Sequence, residues 1–245
     1  MTDLVPARPP VRLAVRGIEG MDDAGFPVRR IYCVGRNFAD HAREMGASAP
    51  ASKAERGTPI FFLKPADALV ADGVVPYPPG TADLQHEVEL VVALGRDAPA
   101  GVLTRDAAAA LVLGYGVGLD LTRRDLQGAA KAKGLPWDTG KSFDACAVAG
   151  DLWAKDATGD IDALGLSLRI NGGLRQQGRF ADLIWDVPDI LIELSRLYAL
   201  KAGDLIYMGT PAGVAPLQVG DRFEATLDGT GARLEGAIVE GAWSG

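Results

Sequence analysis

The chain has 245 residues, 48% of them hydrophobic, and a formal net charge of −7. That length and apolar share suffice to bury one full core, while the acidic balance argues against a nucleic-acid backbone or an anionic membrane surface as partner. No apolar stretch reaches the roughly 20 residues that span a bilayer. Two cysteines, Cys33 and Cys146, and the lack of an apolar leader before Arg8 give the expectation of a cytoplasmic protein without a disulfide framework.

In chain order, residues 1–10 are Pro-rich and expected to be poorly ordered, with a first strand over 11–15 and a second over 30–34. Gly35-Arg36-Asn37 follows, where Asn37 is expected to cap a short helix running to Met45 and closed by Gly46. Residues 47–57, rich in Ala and Ser, read as a mobile loop. Strands are expected over 60–63 and 74–77, the latter ended by the Pro-Pro-Gly turn at 78–80. After a strand containing Glu87 and Glu89, an Ala-rich helix over 105–113 leads into a strand over 114–122, whose glycines permit close backbone approach. A helix over 123–133 places Arg124, Gln127 and Lys131 on one face. Asn171-Gly172-Gly173 predicts a hairpin between strands 166–170 and 174–177. A helix over 186–200 is capped by Asp186, has Pro188 in its first turn, and buries Ile190, Leu191, Leu194 and Leu197. Strands over 204–208, 222–227 and 232–240 finish the chain. Strands outnumber helices without a repeating alternation, which predicts an α+β domain with mixed sheets.

The most informative local pattern is Glu87 and Glu89 in His-Glu-Val-Glu-Leu, with Asp120 at the end of a later apolar run. Alternate residues of a strand share a face, so both glutamates point one way while Val88, Leu90 and Val92 point into a core. Carboxylates so close resist joint ionisation unless a cation lies between them. With oxygen donors and no Cys or His cluster, Mg²⁺ or Mn²⁺ is favoured, with Asp120 as third ligand. The same pair also suits a solvated strand face.

His41 and Glu44 stand three apart on the helix after Asn37, the spacing at which a carboxylate bonds one imidazole nitrogen and raises the basicity of the other. This is the arrangement of a general base, and equally of a surface histidine with a chance neighbour. His86 faces away from Glu87 and reads as structural. Lys141 in Thr-Gly-Lys-Ser-Phe-Asp can reach the carboxylates to bind a substrate anion or an oxyanion, or remain a solvated loop lysine. The loop Gly-Thr-Pro-Ala-Gly at 209–213 offers amides and the Thr210 hydroxyl as a carboxylate nest.

Taken in order, Gly-Arg-Asn-Phe-Ala-Asp-His (35–41), Phe-Leu-Lys-Pro-Ala-Asp (62–67), His-Glu-Val-Glu-Leu (86–90), Gly-Leu-Asp-Leu-Thr-Arg-Arg-Asp-Leu-Gln (118–127), Lys-Ser-Phe-Asp (141–144) and Gly-Thr-Pro-Ala-Gly (209–213) resemble the fumarylacetoacetate hydrolase family. Within it, Thr-Arg-Arg-Asp-Leu-Gln and the Pro-Trp-Asp at 136–138 look closest to fumarylpyruvate hydrolases. The resemblance implies a mixed β-sheet roll with peripheral helices, residues 29–245 forming the catalytic domain after a short extension over 1–28. It implies Mg²⁺ or Mn²⁺ at Glu87, Glu89 and Asp120, and a homodimer. It further implies catalytic roles for His41, Glu44 and Lys141, and substrate contacts from Arg36, Arg124, Gln127 and Thr210. The implied reaction is hydrolysis of a C–C bond in a 1,3-diketo acid, most closely fumarylpyruvate to fumarate and pyruvate in aromatic-acid breakdown. Phe38, Ala145 and Met208 depart from residues frequent in the family. Acylpyruvate hydrolysis and oxaloacetate decarboxylation are alternatives on the same metal core, and a non-catalytic metal-binding protein is the alternative from another class.

Overall fold

The computed structural model describes residues 4–6, 8–21, 24–44, 46, 50 and 53–241. Among these residues the strands form three sheets. The largest runs Gly25–Pro27, Arg12–Arg16, Leu152–Ala154, Val112–Asp120, Val88–Leu94, Asp204–Tyr207, Arg30–Gly35 and Ile60–Lys64; Ala147–Ala149 also pairs with Val112–Asp120 and carries Leu69–Val70 on its other side. Parallel and antiparallel pairings both occur within it: Asp204–Tyr207 lies parallel to Arg30–Gly35 and antiparallel to Val88–Leu94. A second sheet stacks Gly173–Arg179, Gly165–Ile170, Arg222–Leu227, Arg233–Val239 and Val74–Pro76. A small third sheet joins Thr122–Arg123, Leu84–His86 and Ala215–Pro216. Mixed sheets with short helices around them make this the expected α+β architecture.

The strand Val88–Leu94 is buried along its whole length. Its even residues, Val88, Leu90, Val92 and Leu94, join a large core with Leu166, Leu168, Phe223 and Leu227 of the second sheet and Ile190, Leu191 and Leu194 of the helix Val187–Ser195. Its odd residues Val91 and Ala93 join a smaller core with Leu13, Val15, Phe26, Ile31 and Tyr207. The glutamate face is therefore walled by apolar side chains, which excludes the solvated-face reading. Two-faced burial of this kind makes a strand read as a continuous apolar run.

The expected strand through Glu87 is divided in two: Leu84–His86 belongs to the small sheet and Val88–Leu94 to the large one, with Glu87 at the seam. Asp120 ends Val112–Asp120 at the same place, its N–H donating to the Glu87 carbonyl at 2.8 Å. Gly118 is required there, because a Cβ would lie 2.5 Å from the Val148 carbonyl oxygen and 2.9 Å from the Tyr207 ring.

Other expectations resolve as follows. Asp186 caps the helix Val187–Ser195 by accepting from the Asp189 N–H. Leu197 does not join its buried side but is exposed, since the helix has ended before it. Asn37 does not cap the helix Ala39–Glu44; its side chain is wholly buried and spans the Trp185 and Met208 backbone. Gly46 closes that helix in the left-handed region, while Met45 lies outside the described residues. The expected loop 47–57 is described only in part, with Lys53–Glu55 forming a short turn of 3-10 helix. Of the N-terminal ten, residues 1–3 and 7 are not described; Arg12–Arg16 pairs with both Gly25–Pro27 and Leu152–Ala154.

Candidate active site

Ligand atoms of Glu87, Glu89 and Asp120 lie within 4.8 Å of one another, and all three residues are buried. Three carboxylates at this spacing in an apolar setting require cations. Lys141, on the helix Asp138–Lys141, donates from Nζ to Glu87 Oε2, Asp120 Oδ2 and Thr122 Oγ1, each at 2.7 Å. That helix packs closely because Gly140 has no side chain; a Cβ would meet the Gln127 backbone at 2.8 Å. Arg124 donates from Nη2 to Glu87 Oε1, from Nη1 to Gln127 Oε1 at 2.7 Å and from Nε to Gln85 Oε1 at 2.8 Å. Lys64 is buried, donates to the Leu121 and Lys141 carbonyls, and lies 2.7 Å from Asp120 Oδ1.

The electrostatics follow from this packing. Burial raises the Glu87 carboxyl, but Lys141 and Arg124 outweigh it and hold the group below its usual range. Among the described residues Glu89 has a single donor, the Gly209 N–H at 2.7 Å, and burial together with Asp120 and Glu87 pushes it well up. Burial opposes the Lys64 charge, yet Asp120 raises its pKa above the ordinary value.

The residues fit a hard divalent cation. Among the described residues Asp120 Oδ1 is buried without an aligned hydrogen-bond donor: Lys64 is close enough to neutralise it but off the hydrogen-bonding direction. An unshared lone pair in a dry site, beside an under-partnered Glu89, is what a cation with oxygen ligands would satisfy.

Opposite the carboxylates stands His41, buried on the helix Ala39–Glu44. Its Nδ1 is 3.1 Å from Glu44 Oε2, and its ring lines the same cleft as the carboxylates. Glu44 also accepts from the Gly213 N–H at 3.1 Å, tying the helix to the 209–213 loop. That loop is thus no empty nest: the Gly209 amide serves Glu89 and the Gly213 amide serves Glu44. Gly209 needs its φ of 92° and its missing Cβ, which would approach the Asn37 Cβ to 2.7 Å.

The cleft is lined by Val34, Gly35, Arg36, His41, Phe62, Glu87, Glu89, Asp120, Arg124, Gln127, Lys131, Trp137, Lys141 and Thr210. Every site residue expected from the sequence is in this wall except Glu44, which stands behind His41. Three supporting residues escaped the sequence reading. Lys64 was present in the quoted 62–67 motif, and its position in an otherwise apolar strand was the available signal. Asn37 holds Trp185 and Met208 through three hydrogen bonds. Gln176 accepts from the Val88 N–H, so the His86 Nδ1 at 2.8 Å from the same oxygen must carry the proton. Its amide donates to Thr210 Oγ1 and the Pro211 carbonyl, each at 2.8 Å, fixing Thr210 in the wall. No pattern around Asn37 or Gln176 signals these roles.

The chain is similar to known proteins over most of its length. The solved structure of fumarylpyruvate hydrolase from Pseudomonas aeruginosa, in complex with Mn²⁺ and pyruvate, superposes with a TM-score of 0.88 at 39% identity, covering 98% of this chain and 100% of that one. Oxaloacetate tautomerase YcgM of Escherichia coli is 41% identical over 206 residues, 83% of this chain and 90% of the relative. Mitochondrial oxaloacetate tautomerase FAHD1 of Homo sapiens is 41% identical over 202 residues, 82% of this chain and 88% of the relative. Residues 30–237 match the family described as fumarylacetoacetate (FAA) hydrolase, C-terminal. The chain belongs to the fumarylacetoacetate hydrolase family.

Proposed function

We propose that this protein is a Mg²⁺- or Mn²⁺-dependent hydrolase that cleaves fumarylpyruvate to fumarate and pyruvate, within residues 29–245 and as a cytoplasmic homodimer serving aromatic-acid breakdown. The observation that carries the hydrolytic reading is the buried His41, which lines the same cleft as the three carboxylates and has Glu44 behind its Nδ1.

Glu87, Glu89 and Asp120 would hold the cation, which when bound supplies Lewis acidity toward the 2-oxo acid end of the substrate. Glu44 fixes the His41 ring through Nδ1, leaving Nε2 to take a proton from water. Water then adds to the distal ketone. The Gln127 amide and the Thr210 hydroxyl, whose oxygen is already oriented by Gln176, donate to the new oxyanion, and Lys141, its protons held by Glu87, Asp120 and Thr122, stabilises it through its charge. Collapse breaks the C–C bond, the electron pair leaving on the pyruvate enolate, and the proton held by His41 is available to return to it. Arg124 orients Glu87 and Gln127 together. Val34, Phe62 and Trp137 give the carbon chain an apolar wall.

A second reading, enol–keto interconversion of oxaloacetate, is favoured by the two tautomerases at 41% identity. It uses the same proton-transfer pair and needs no water. Steady-state kinetics on EDTA-treated protein restored with Mn²⁺ separates the two. Release of pyruvate from fumarylpyruvate, at a higher kcat/KM than from acetylpyruvate, supports hydrolysis. Interconversion of oxaloacetate forms with no release of pyruvate from either diketo acid assigns the tautomerase reading instead.

A further inference from the structure

The charges in the cleft fall into two groups. Glu87, Glu89 and Asp120 are matched by Lys64, Arg124 and Lys141 through the contacts above. Arg36 and Lys131 also line the cleft, both only partly exposed, and neither side chain has a hydrogen bond or ion pair with any described residue. Glu87, an acidic group that acts on Lys131, is already taken by Arg124 and Lys141. Burial and then Arg36 and Arg124 lower the Lys131 pKa, so the cations crowd one another. Arg36 is also held at φ 59°, in the left-handed region that a non-glycine residue enters at a cost. Two unpaired, converging cations on a cleft wall, one on strained backbone, are what a bound anion would relieve.

We infer that Arg36 and Lys131 form a second carboxylate-binding point in the cleft, which selects 2-oxo acids bearing a carboxylate at their far end over equally long acids that lack one. The inference rests on the cleft being the 2-oxo acid site proposed above. The substrate class is then a dicarboxylic diketo acid: one end serves the metal-ligand pole, the carbon chain lies along Phe62 and Trp137, and the other end reaches Arg36 and Lys131. Lys131 lies on the same helix face as Arg124 and Gln127, so a single helix contributes to both poles.

The test is calorimetric binding of two inert ligands to the Mn²⁺-loaded protein: 2-oxopimelate, with a terminal carboxylate, and 2-oxoheptanoate, of the same length without it. The wild type is expected to bind 2-oxopimelate at least about tenfold more tightly, the scale of one charge-assisted contact. In Lys131→Met the ratio between the ligands falls toward one. Arg36→Asn, which tolerates the left-handed backbone, lowers the same ratio and provides the second variant. Equal binding of the two ligands by the wild type, or variants that lose both ligands in parallel, overturns the inference. A ligand preference without fumarylpyruvate hydrolysis supports this subsite and removes the proposed reaction; hydrolysis without the preference does the reverse.

Discussion

Glu89 and Asp120 are carried by long buried strands, with Glu87 directly before the first of them, whereas His41 is carried by a helix of six residues. At the first pole, three cations and the Gly209 amide fix the carboxylates, and Gly118 lets Tyr207 close the layer behind them. At the second pole, the polar ties include Glu44 to Gly213, Asn37 to Trp185, Ile184 and Met208, and the bridge between Phe38 and Leu183. The contrast teaches a division of labour. A ligand-holding pole gains from rigidity, since misplaced carboxylates repel; a proton-transferring pole needs only a ring held in one orientation at the right distance.

The largest effect that can break this division is Glu89→Gln. A glutamine oxygen still accepts from Gly209, so the fold is retained, but a charged ligand is lost. Calorimetry is expected to register loss of Mn²⁺ binding, and kcat/KM for fumarylpyruvate to fall about 10³-fold or more; tight Mn²⁺ binding by this variant would separate the triad from the metal. His41→Ala comes next, with kcat lowered about 10²–10³-fold while Mn²⁺ affinity is retained. Parallel loss of metal and turnover would mean that the poles are not independent.

Two further substitutions probe the supports. Lys64→Met leaves Asp120 Oδ1 without its cation, at a cost of about 3 kcal/mol in urea denaturation of the metal-free protein. An unchanged midpoint would remove Lys64 from the network. Gln176→Leu strands the Val88 amide and the Pro211 carbonyl and unfixes Thr210, with an expected loss of about 2 kcal/mol. Its fluorescence-monitored unfolding should shift less than that of Lys64→Met, and the reverse order would mean that the ion network is the weaker support.

What the sequence made legible divides along the same line. Periodicity and chemistry revealed Glu87, Glu89 and Asp120, because strand geometry puts alternate residues on one face wherever the strand sits. The Asn171-Gly172 hairpin and the Asp186 cap were equally local, each set by its own residues. His41 and Glu44 were readable because a helical turn brings them together without outside help. Lys64 was not, since the Leu121 and Lys141 carbonyls it bonds are 57 and 77 residues away along the chain. Asn37 looked like a helix cap by every local rule, and tertiary packing claimed its amide instead. The short strands Ala147–Ala149 and Leu152–Ala154 exist because Val112–Asp120 offers them an edge, a fact no local pattern contains. Leu197 suited the apolar stripe, but the helix ended one turn early.

The measurement that tests the central claim most directly is the isotopic composition of the products when the Mn²⁺-loaded protein acts on fumarylpyruvate in H₂¹⁸O. Addition of water to the distal ketone followed by C–C cleavage predicts fumarate carrying ¹⁸O in its newly formed carboxylate, with pyruvate in equal amount, and loss of both products in His41→Ala. Recovery of fumarylpyruvate changed only in its enol–keto ratio, with no fumarate formed, would contradict the hydrolytic account.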